Sequence, residues 1–444
     1  MNQMNFRFAS LFTSRASMRR DHRKNEARNP KHSNRICLVE SLEERAVPAT
    51  ISVVNGNLFI KNQSGPLTVT STATGTVTVV DNVSTPAYTF TNVATGIYIT
   101  GTTGADTINF TANAVAFPGN VYINSGNGGD TINIQGTSGI GGNLTVLGGL
   151  GNDTIVTTGA MVVSGNVTIT GDGGSNDITL TSKLTIGGSL SASGINDVSV
   201  PSTLSVGGNA SLSALVSGVQ LDVNAAGTIS VNGNLTVNGY ASNDQFEVTG
   251  TLTVNGAMTV NFGSGANDLL LTETAASTIG RNLTYVGTTG VDNIDMGGAV
   301  GLTVSGTASF SLGDGANTYD QTATTSISGN LAITGGNGGN TLNVAGSIAG
   351  AATVRLGNGT NATTFTTSPA GLLTYRGGNT ADTVTLTLAN ATFYVDLLFG
   401  TAGTHTLALT SASSFITGKA ISGSPSGSLF SQTGSILQPF TINF

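Results

Sequence analysis

The stretch Gly142–Val146, with the sequence Gly-Asn-Leu-Thr-Val, decides the fold because it returns along most of the chain. Successive copies start 20 to 25 residues apart, and the commonest step is 23. Periods of roughly 20 to 50 residues are typical of stacked supersecondary units. The first position of the stretch recurs at Gly119, Gly142, Gly165, Gly188, Gly208, Gly233, Gly256, Arg281, Gly306, Gly329, Gly350 and Gly371.

Each unit contains short stretches in which apolar and polar residues alternate, and this period of two indicates β-strands. Leu144 and Val146 share one face of such a strand, whereas Thr145 lies on the other. A second strand starts at Asp153, and a third ends at Val163. Three short strands cannot enclose a core alone, but copies stacked about 4.8 Å apart can. An antiparallel sandwich would instead join unrelated strands by hairpins.

We therefore predict an all-β fold, a right-handed parallel β-helix (β-solenoid) with roughly 23-residue coils of three short strands. The alternation also predicts which side chains enter the core. The residues expected to point inward are Leu144, Val146, Ile155, Val163, Val167 and Ile169, and those expected to point outward are Thr145 and Thr168.

The repeat divides the chain into four segments. Residues 1–48 are basic and free of the repeat, and are predicted to form a disordered export or targeting segment. Residues 49–95 are predicted to form an N-terminal cap and the first irregular coils. Residues 96–418 form the predicted β-helix, and residues 419–444 its C-terminal cap.

Charge is distributed unevenly along the 444 residues, whose formal net charge is −7. Residues 1–50 carry ten basic and five acidic residues (+5), whereas residues 51–444 carry six and eighteen (−12). The repeats therefore lack the basic face that nucleic-acid binding requires, and we expect no nucleic-acid partner. No apolar run reaches about 18 residues, so no transmembrane segment is expected. The single cysteine, Cys37, cannot form a disulfide within one chain.

An acidic or amide residue precedes the second strand of each coil and is the first candidate site. The predicted column consists of Asp106, Asp130, Asp153, Asp177, Asp197, Gln220, Asp244, Asp268, Asp292, Asn317, Asn340, Asn361, Asp382 and His405. One interpretation is a ladder in which the side chains bond corner amides. The other is a calcium site, with Asp130, Asp153 and Asp177 as the metal-ligand candidates, because stacked carboxylates would otherwise repel one another.

The stretch Gly148–Val156 (Gly-Gly-Leu-Gly-Asn-Asp-Thr-Ile-Val) resembles the nine-residue calcium repeat of the repeats-in-toxin proteins. Those proteins bind calcium because consecutive nonapeptides bring carboxylates together, whereas one match occurs here per coil. We therefore favour the structural ladder and expect no cofactor other than this possible calcium.

Arg355 and Arg376 are the second candidate site. Each follows the first position of its repeat by five residues, so they are expected to lie side by side on neighbouring coils. Two cations about 5 Å apart attract an anion. The pair could bind an acidic sugar, although a solvated surface pair with counter-ions is the simpler interpretation.

The sequence offers little support for catalysis. Parallel β-helices include polysaccharide lyases and hydrolases, and hydrolases need two carboxylates roughly 5 to 10 Å apart. The predicted Asp column supplies such pairs, but no pair differs from the others in a way that would mark it as catalytic. No long loop that could build a cleft interrupts the repeats. His405 has no second histidine in the repeat region for a metal site or triad.

The stretch Val39–Ala49 (Val-Glu-Ser-Leu-Glu-Glu-Arg-Ala-Val-Pro-Ala) resembles a segment near the N-terminus of many secreted planctomycete proteins with β-strand repeats. Their phrase is Leu-Glu-x-Leu-Glu-x-Arg-x-x-Pro-Ala, and Val39 replaces its first Leu. The resemblance implies export and an extracellular or cell-surface location, but it implies no activity.

These observations predict an exported, non-enzymatic β-solenoid with a structural, adhesive or cell-surface role. Its expected partners are surface polysaccharide or neighbouring solenoids, because long faces of Thr, Ser and Asn suit repeated polar contacts. The alternative is a carbohydrate-active enzyme, a lyase or hydrolase, that acts on an acidic polysaccharide.

Overall fold

The structure, a computed structural model, describes residues 49–61, 65–81, 87–113, 115–214, 220–388, 392–411, 414–422, 428–433, 436–437 and 440–443. Within these ranges every regular element is a β-strand. Parallel strands stack into a β-solenoid of about 13 turns that are roughly 23 residues apart. The predicted fold class is therefore confirmed.

The strands form three sheets, which we name A, B and C. Sheet A contains Thr50–Val54, Asn57–Lys61, Gly96–Thr102, Asn120–Gly126, Leu144–Leu150, Val167–Gly173, Leu190–Ser193, Ala210–Ser213, Leu235–Asn238, Met258–Gly263, Leu283–Gly287, Ala308–Gly313, Leu331–Gly335, Ala352–Leu356, Leu373–Arg376, Thr392–Phe399, Ser414–Ser422, Ile436–Leu437 and Phe440–Asn443.

Sheet B contains Pro66–Ala73, Thr76–Val80, Tyr88–Phe90, Thr107–Ala112, Thr131–Gln135, Thr154–Thr158, Asp177–Leu180, Asp197–Ser199, Asp222–Ala225, Gln245–Val248, Asp268–Leu271, Asn293–Met296, Thr318–Gln321, Thr341–Val344, Asn361–Phe365, Asp382–Leu388, Thr406–Ser411 and Leu429–Thr433. Sheet C contains Gly139–Ile140, Met161–Val163, Leu184–Ile186, Thr203–Val206, Thr228–Val231, Thr251–Val254, Ser277–Ile279, Leu302–Val304, Ser326–Ile327 and Ser347–Ile348.

Within the repeated coils each strand pairs in parallel with its copy one coil away, so like residues stack on like residues. Leu144 pairs with Val167, and Val146 pairs with Ile169. The six side chains predicted to point inward are buried, and Thr145 and Thr168 lie on the outer surface. The core is thus a set of continuous apolar columns, which no single coil could bury alone.

The prediction of three strands per coil holds only in the middle of the solenoid, because sheet C begins at Gly139 and ends at Ile348. The described residues of the coils outside this range form strands in sheets A and B alone. At the C-terminal side Pro369 occupies the position one coil beyond Ile348. Proline has no N–H group to donate to a strand ladder, although the neighbouring Ala370 N–H still donates to the Ile348 carbonyl at 3.0 Å.

The N-terminal end is covered by antiparallel strands. Thr50–Val54 pairs antiparallel with Asn57–Lys61, and Thr76–Val80 pairs antiparallel with Pro66–Ala73. These hairpins lie within the predicted cap 49–95 and occupy the open edges of sheets A and B. The first coil of the solenoid also lies inside that segment, because Asn57–Lys61 already pairs in parallel with the following coil.

The parallel stack continues beyond the last copy of the repeated phrase. The strand Ser414–Ser422 crosses the predicted boundary between residues 418 and 419. Phe440–Asn443 pairs with it in parallel, and Leu429–Thr433 continues sheet B. The predicted N-terminal segment 1–48 and its export-like phrase lie outside the described residues, except for Ala49.

The repeated Gly-Asn pair has a structural explanation. Asn143 Oδ1 accepts a hydrogen bond of 2.8 Å from the backbone N–H of Asn166, one coil further on, and Asn120 accepts the same bond from Asn143. A Cβ atom on Gly165 would collide with the Asn143 side chain and lie 2.7 Å from the Gly142 carbonyl. Hydrogen bonding between coils and close packing therefore explain why the Gly-Asn pair recurs in the repeated phrase.

Candidate functional site

A buried column of polar side chains runs through the corner between sheets A and B, and we name it the corner ladder. Each rung lies just before or at the start of a sheet B strand, and all rungs except the half-buried Asn196 are buried. The rungs are Asp106, Asp130, Asp153, Asn176, Asn196, Asp244, Asn267, Asp292, Asn317, Asn340, Asn361, Asp382 and His405. Leu221 takes the rung position between Asn196 and Asp244, so the polar column is interrupted there.

The structure corrects the predicted column at three Asn-Asp pairs. Asp177 does not continue the Asp153 rung; it pairs with Thr154 on the outer face of sheet B, and Asn176 takes the buried position. Asp197 and Asp268 likewise lie on the strand beside the rungs Asn196 and Asn267. The exposed Gln220 is also not a rung. Three carboxylates, not four, are therefore aligned at the N-terminal side.

The parity of the strand explains this correction and could have revealed it. Asp153 precedes the inward Ile155 by two residues and so shares its face, whereas Asp177 precedes the inward Ile178 by one residue. Side chains one residue apart on a strand point to opposite faces. The buried member of each Asn-Asp pair is therefore the asparagine.

Hydrogen bonds link each rung to the next coil. The backbone N–H of Asp106 donates to Asp130 Oδ1 at 2.8 Å, and the N–H of Asp130 donates to Asp153 Oδ1 at 3.0 Å. The N–H of Asp153 donates to Asn176 Oδ1 at 3.0 Å. Each side chain thus satisfies a corner amide that no strand ladder reaches, which is the structural role expected of a buried polar group.

Asparagine rungs are more fully bonded than aspartate rungs. Asn340 Nδ2 donates to the carbonyl oxygens of Gly336 and Gly338 in its own corner and to Asn361 Oδ1 at 2.9 Å. A carboxylate cannot donate these bonds. Correspondingly, Oδ2 of Asp130, Asp153, Asp292 and Asp382 is buried and lacks a hydrogen-bond partner.

Burial therefore penalises the charged form of the aspartate rungs. The pKa of Asp153 is raised to about 6, mainly by desolvation and to a smaller extent by the adjacent Asp130 charge, while the hydrogen bond from the Asp130 amide acts in the opposite direction. Burial likewise raises the pKa of Asp292 and of Asp382 to about 6. The ladder thus holds carboxyl groups that bind protons more tightly than they would in an unfolded chain.

The geometry of the ladder favours the structural interpretation over calcium binding. A divalent ion needs several oxygen ligands converging on one point, whereas each coil contributes one ladder side chain and the rung after Asp153 is the amide of Asn176. Oδ1 of Asp130 and of Asp153 already accepts a backbone amide. Over the described part of the chain, no group of three or more His, Cys, Asp or Glu side chains is placed to hold a metal ion.

We expect Asp153→Asn to stabilise the protein at neutral pH by about 1 to 2 kcal/mol, because the amide removes a buried charge and can donate to the corner carbonyls. Chelator should leave the unfolding midpoint nearly unchanged, whereas bound calcium would add about 2.7 kcal/mol at a hundredfold excess over its Kd. Thermal unfolding of both proteins with calcium and with chelator measures this. A calcium-dependent rise that Asp153→Asn abolishes would establish the metal site instead.

Near its C-terminal end the ladder contains a buried histidine, His405, whose backbone N–H donates to Ser428 Oγ in the next coil at 3.4 Å. The N–H of Asp382 donates to His405 Nδ1 at 3.3 Å, and both side chains are fully buried. Burial lowers the pKa of His405, so its ring is neutral at pH 7, and its 3.5 Å approach to Asp382 Oδ2 is not an ion pair. Since neither group contacts solvent, this Asp-His pair is not arranged for catalysis.

Glu273 was not singled out from the sequence. It lies in the corner after the sheet B strand Asp268–Leu271, is fully buried, and has no hydrogen bond of good geometry at either carboxylate oxygen. Burial raises its pKa to about 7, and the backbone amides of Glu273 and Gly298 offset this only in part. The signal in the sequence is a lengthened corner, which is visible as a 25-residue step from Gly256 to Arg281.

The predicted alignment of Arg355 and Arg376 is confirmed, because the two residues pair directly in sheet A. Arg376 is already occupied: Nη2 donates to Asp396 Oδ2 at 2.8 Å, and Nη1 donates to the carbonyl oxygens of Tyr375 and Asp396. Lys419 Nζ lies 3.8 Å from Asp396 Oδ1. Arg355 is exposed and takes part in none of the ion pairs found in the described ranges. The two arginines therefore do not form an equal clamp around an anion.

Comparisons with known proteins identify no family for this chain. The described residues include no helix that is long and apolar enough to cross a membrane. No protein-family model, no curated protein and no solved structure matches the chain.

Proposed function

We propose that this protein is an exported, non-enzymatic β-solenoid with a structural or adhesive role at the cell surface. The observation that carries the proposal is the regularity of its outer faces. On sheet C, eight consecutive coils present a hydroxyl group at the same register position. These residues are Thr185, Ser205, Ser230, Thr253, Thr278, Thr303, Ser326 and Ser347.

Sheet A carries a second such column over eight coils. It consists of Thr145, Thr168, Ser191, Ser211, Thr236, Thr259, Thr284 and Ser309. Hydroxyl groups repeat about every 4.8 Å along both columns. Each group can donate and accept a hydrogen bond, so an extended polyhydroxylated chain can be bound at many equivalent places. Such faces suit many weak contacts along a polymer.

The described surface gives less support to catalysis. An open groove of about 270 Å³ beside Ser199 and Asn224 has Glu247 as the single titratable residue in its lining. Glycoside hydrolysis needs a second carboxyl group to share acid and base roles. A cavity of about 20 Å³ in the core, beside Ile169 and Leu190, is lined by apolar side chains and Thr157.

Binding of the purified full chain to an array of cell-surface polysaccharides tests the proposal. We expect weak binding to extended glycans, and we expect it to fall when Thr253, Thr278 and Thr303 are together replaced by valine, which keeps the shape but removes the hydroxyl groups. Replacing the exposed Thr274 by valine, outside the column, is the matched control. Release of shortened or unsaturated products from an acidic polysaccharide would instead show that the protein is an enzyme.

A further inference from the structure

Sheet A carries a basic patch near its C-terminal end, formed by Arg355, Arg376 and Lys419 around Asp396. Residues 51–444 contain only six basic residues, and three of them lie in this patch. Together with Asp396 they occupy four consecutive strands of sheet A. Three cations and one carboxylate give the patch a net charge of +2. Arg355 and Lys419 are exposed, so this charge is available to a partner.

Sheet B carries an acidic column on another face of the same solenoid. Asp177 pairs directly with Asp197, and Asp197 pairs with Asp222, so three carboxylates stack on consecutive coils. Asp177 and Asp197 are exposed. The pKa of Asp197 is nevertheless raised, chiefly by partial desolvation beside its neighbours and further by repulsion from Asp222 and Asp177. No ion pair of the described residues neutralises the column.

We propose that the basic patch of one molecule docks against the acidic column of a second copy of this chain, so that copies associate side by side. This inference rests on the proposed structural role and identifies a second copy of the chain as the binding partner. Charge complementarity supports a second copy, because the patch and the column have opposite sign and each lacks enough counter-charge of its own.

The charges of the two surfaces have the same spacing along the solenoid, which favours docking between two copies of the chain. Basic and acidic residues lie on parallel strands of one solenoid, so both follow the same coil spacing of about 4.8 Å. Two molecules laid alongside each other can therefore match several opposite charges at once. An unrelated partner would have to reproduce this spacing.

The arrangement of the two faces also sets the kind of assembly. The patch and the column lie on different sheets, so the contact joins two unlike surfaces. The copy that contributes its basic patch keeps a free acidic column, and the copy that contributes its acidic column keeps a free basic patch. Such heterologous contacts continue into a ring or an open array instead of closing as a two-fold dimer. The expected product is a laterally extended layer or fibre, held by contacts that are weak one at a time.

Sedimentation of the full chain over a range of protein concentrations tests this proposal. We expect association at an ionic strength of about 0.01 M and its loss near 1 M, because salt screens exposed charges. Arg355→Glu and Asp197→Lys should each lower the association constant by about tenfold or more. Arg281→Glu, which makes the same charge change at an exposed corner outside the patch, is the matched control and should associate like the unaltered protein.

The decisive measurement mixes the two charge-reversed proteins. Arg355→Glu and Asp197→Lys should each associate weakly alone and more strongly when mixed, because the unaltered basic patch of Asp197→Lys can then dock against the unaltered acidic column of Arg355→Glu. A wild-type protein that remains monomeric at low salt overturns the proposal, as does association that Arg281→Glu weakens equally. Binding of a soluble polyanion at Arg355 without self-association would assign the patch to an acidic polymer instead. None of these outcomes depends on the glycan array, so the proposed function is tested separately.

Discussion

Lowering the pH from about 7.5 to about 4.5 is expected to raise the free energy of unfolding by several kcal/mol, since each carboxyl group with a raised pKa contributes about 3 kcal/mol at most. The responsible groups are Asp153, Asp292 and Asp382, with pKa values raised to about 6, and Glu273, with a pKa raised to about 7. Burial is the main cause in each case.

The sign follows from proton binding. Between the carboxyl pKa of an unfolded chain, about 4, and the raised folded values, the folded protein binds more protons than the unfolded one, so stability falls as pH rises. His405 acts in the opposite direction, because its lowered pKa lets the unfolded chain take up that proton first. One opposing group against four leaves acid stabilisation as the net effect.

Thermal unfolding followed by circular dichroism at a series of pH values measures this dependence. The triple variant with asparagine at Asp153, Asp292 and Asp382 should show a flatter profile, because it no longer has those protons to bind. A stability maximum at neutral pH in the unaltered protein would show that the aspartate rungs are solvated, contrary to their burial.

Asn317→Ala is expected to destabilise the protein by about 3 to 5 kcal/mol, because it leaves several buried polar groups unpaired. Asn317 Oδ1 accepts the N–H of Asp292 at 2.9 Å, and Nδ2 donates to Asn340 Oδ1 at 3.0 Å. Nδ2 also donates to the carbonyl oxygens of Gly313 and Gly315. One substitution therefore breaks both the link between coils and the closure of the corner.

Chemical unfolding of Asn317→Ala beside Thr303→Ala checks this expectation. Thr303 is exposed on sheet C in the preceding coil, and its replacement should change stability by no more than about 0.5 kcal/mol. Equal effects of the two substitutions would mean that the ladder adds nothing beyond the strand hydrogen bonds.

The sequence by itself determined the architecture. A phrase repeated about every 23 residues requires stacked coils, and the period-two alternation places Leu144 and Val146 inside and Thr145 outside, as the structure confirms. The alignment of Arg355 with Arg376 also followed from the repeat alone, because equal offsets from equivalent positions must coincide in a stack.

Only the tertiary structure decided the environments of the corner residues. The parity of the strand could have shown that Asn176, and not Asp177, turns inward, but no local pattern shows which groups surround a corner. The burial of Glu273 and the pairing of Arg376 with Asp396 likewise depend on neighbouring coils. Their environment comes from residues about 20 or more positions away in the chain, and the local pattern carries no record of it.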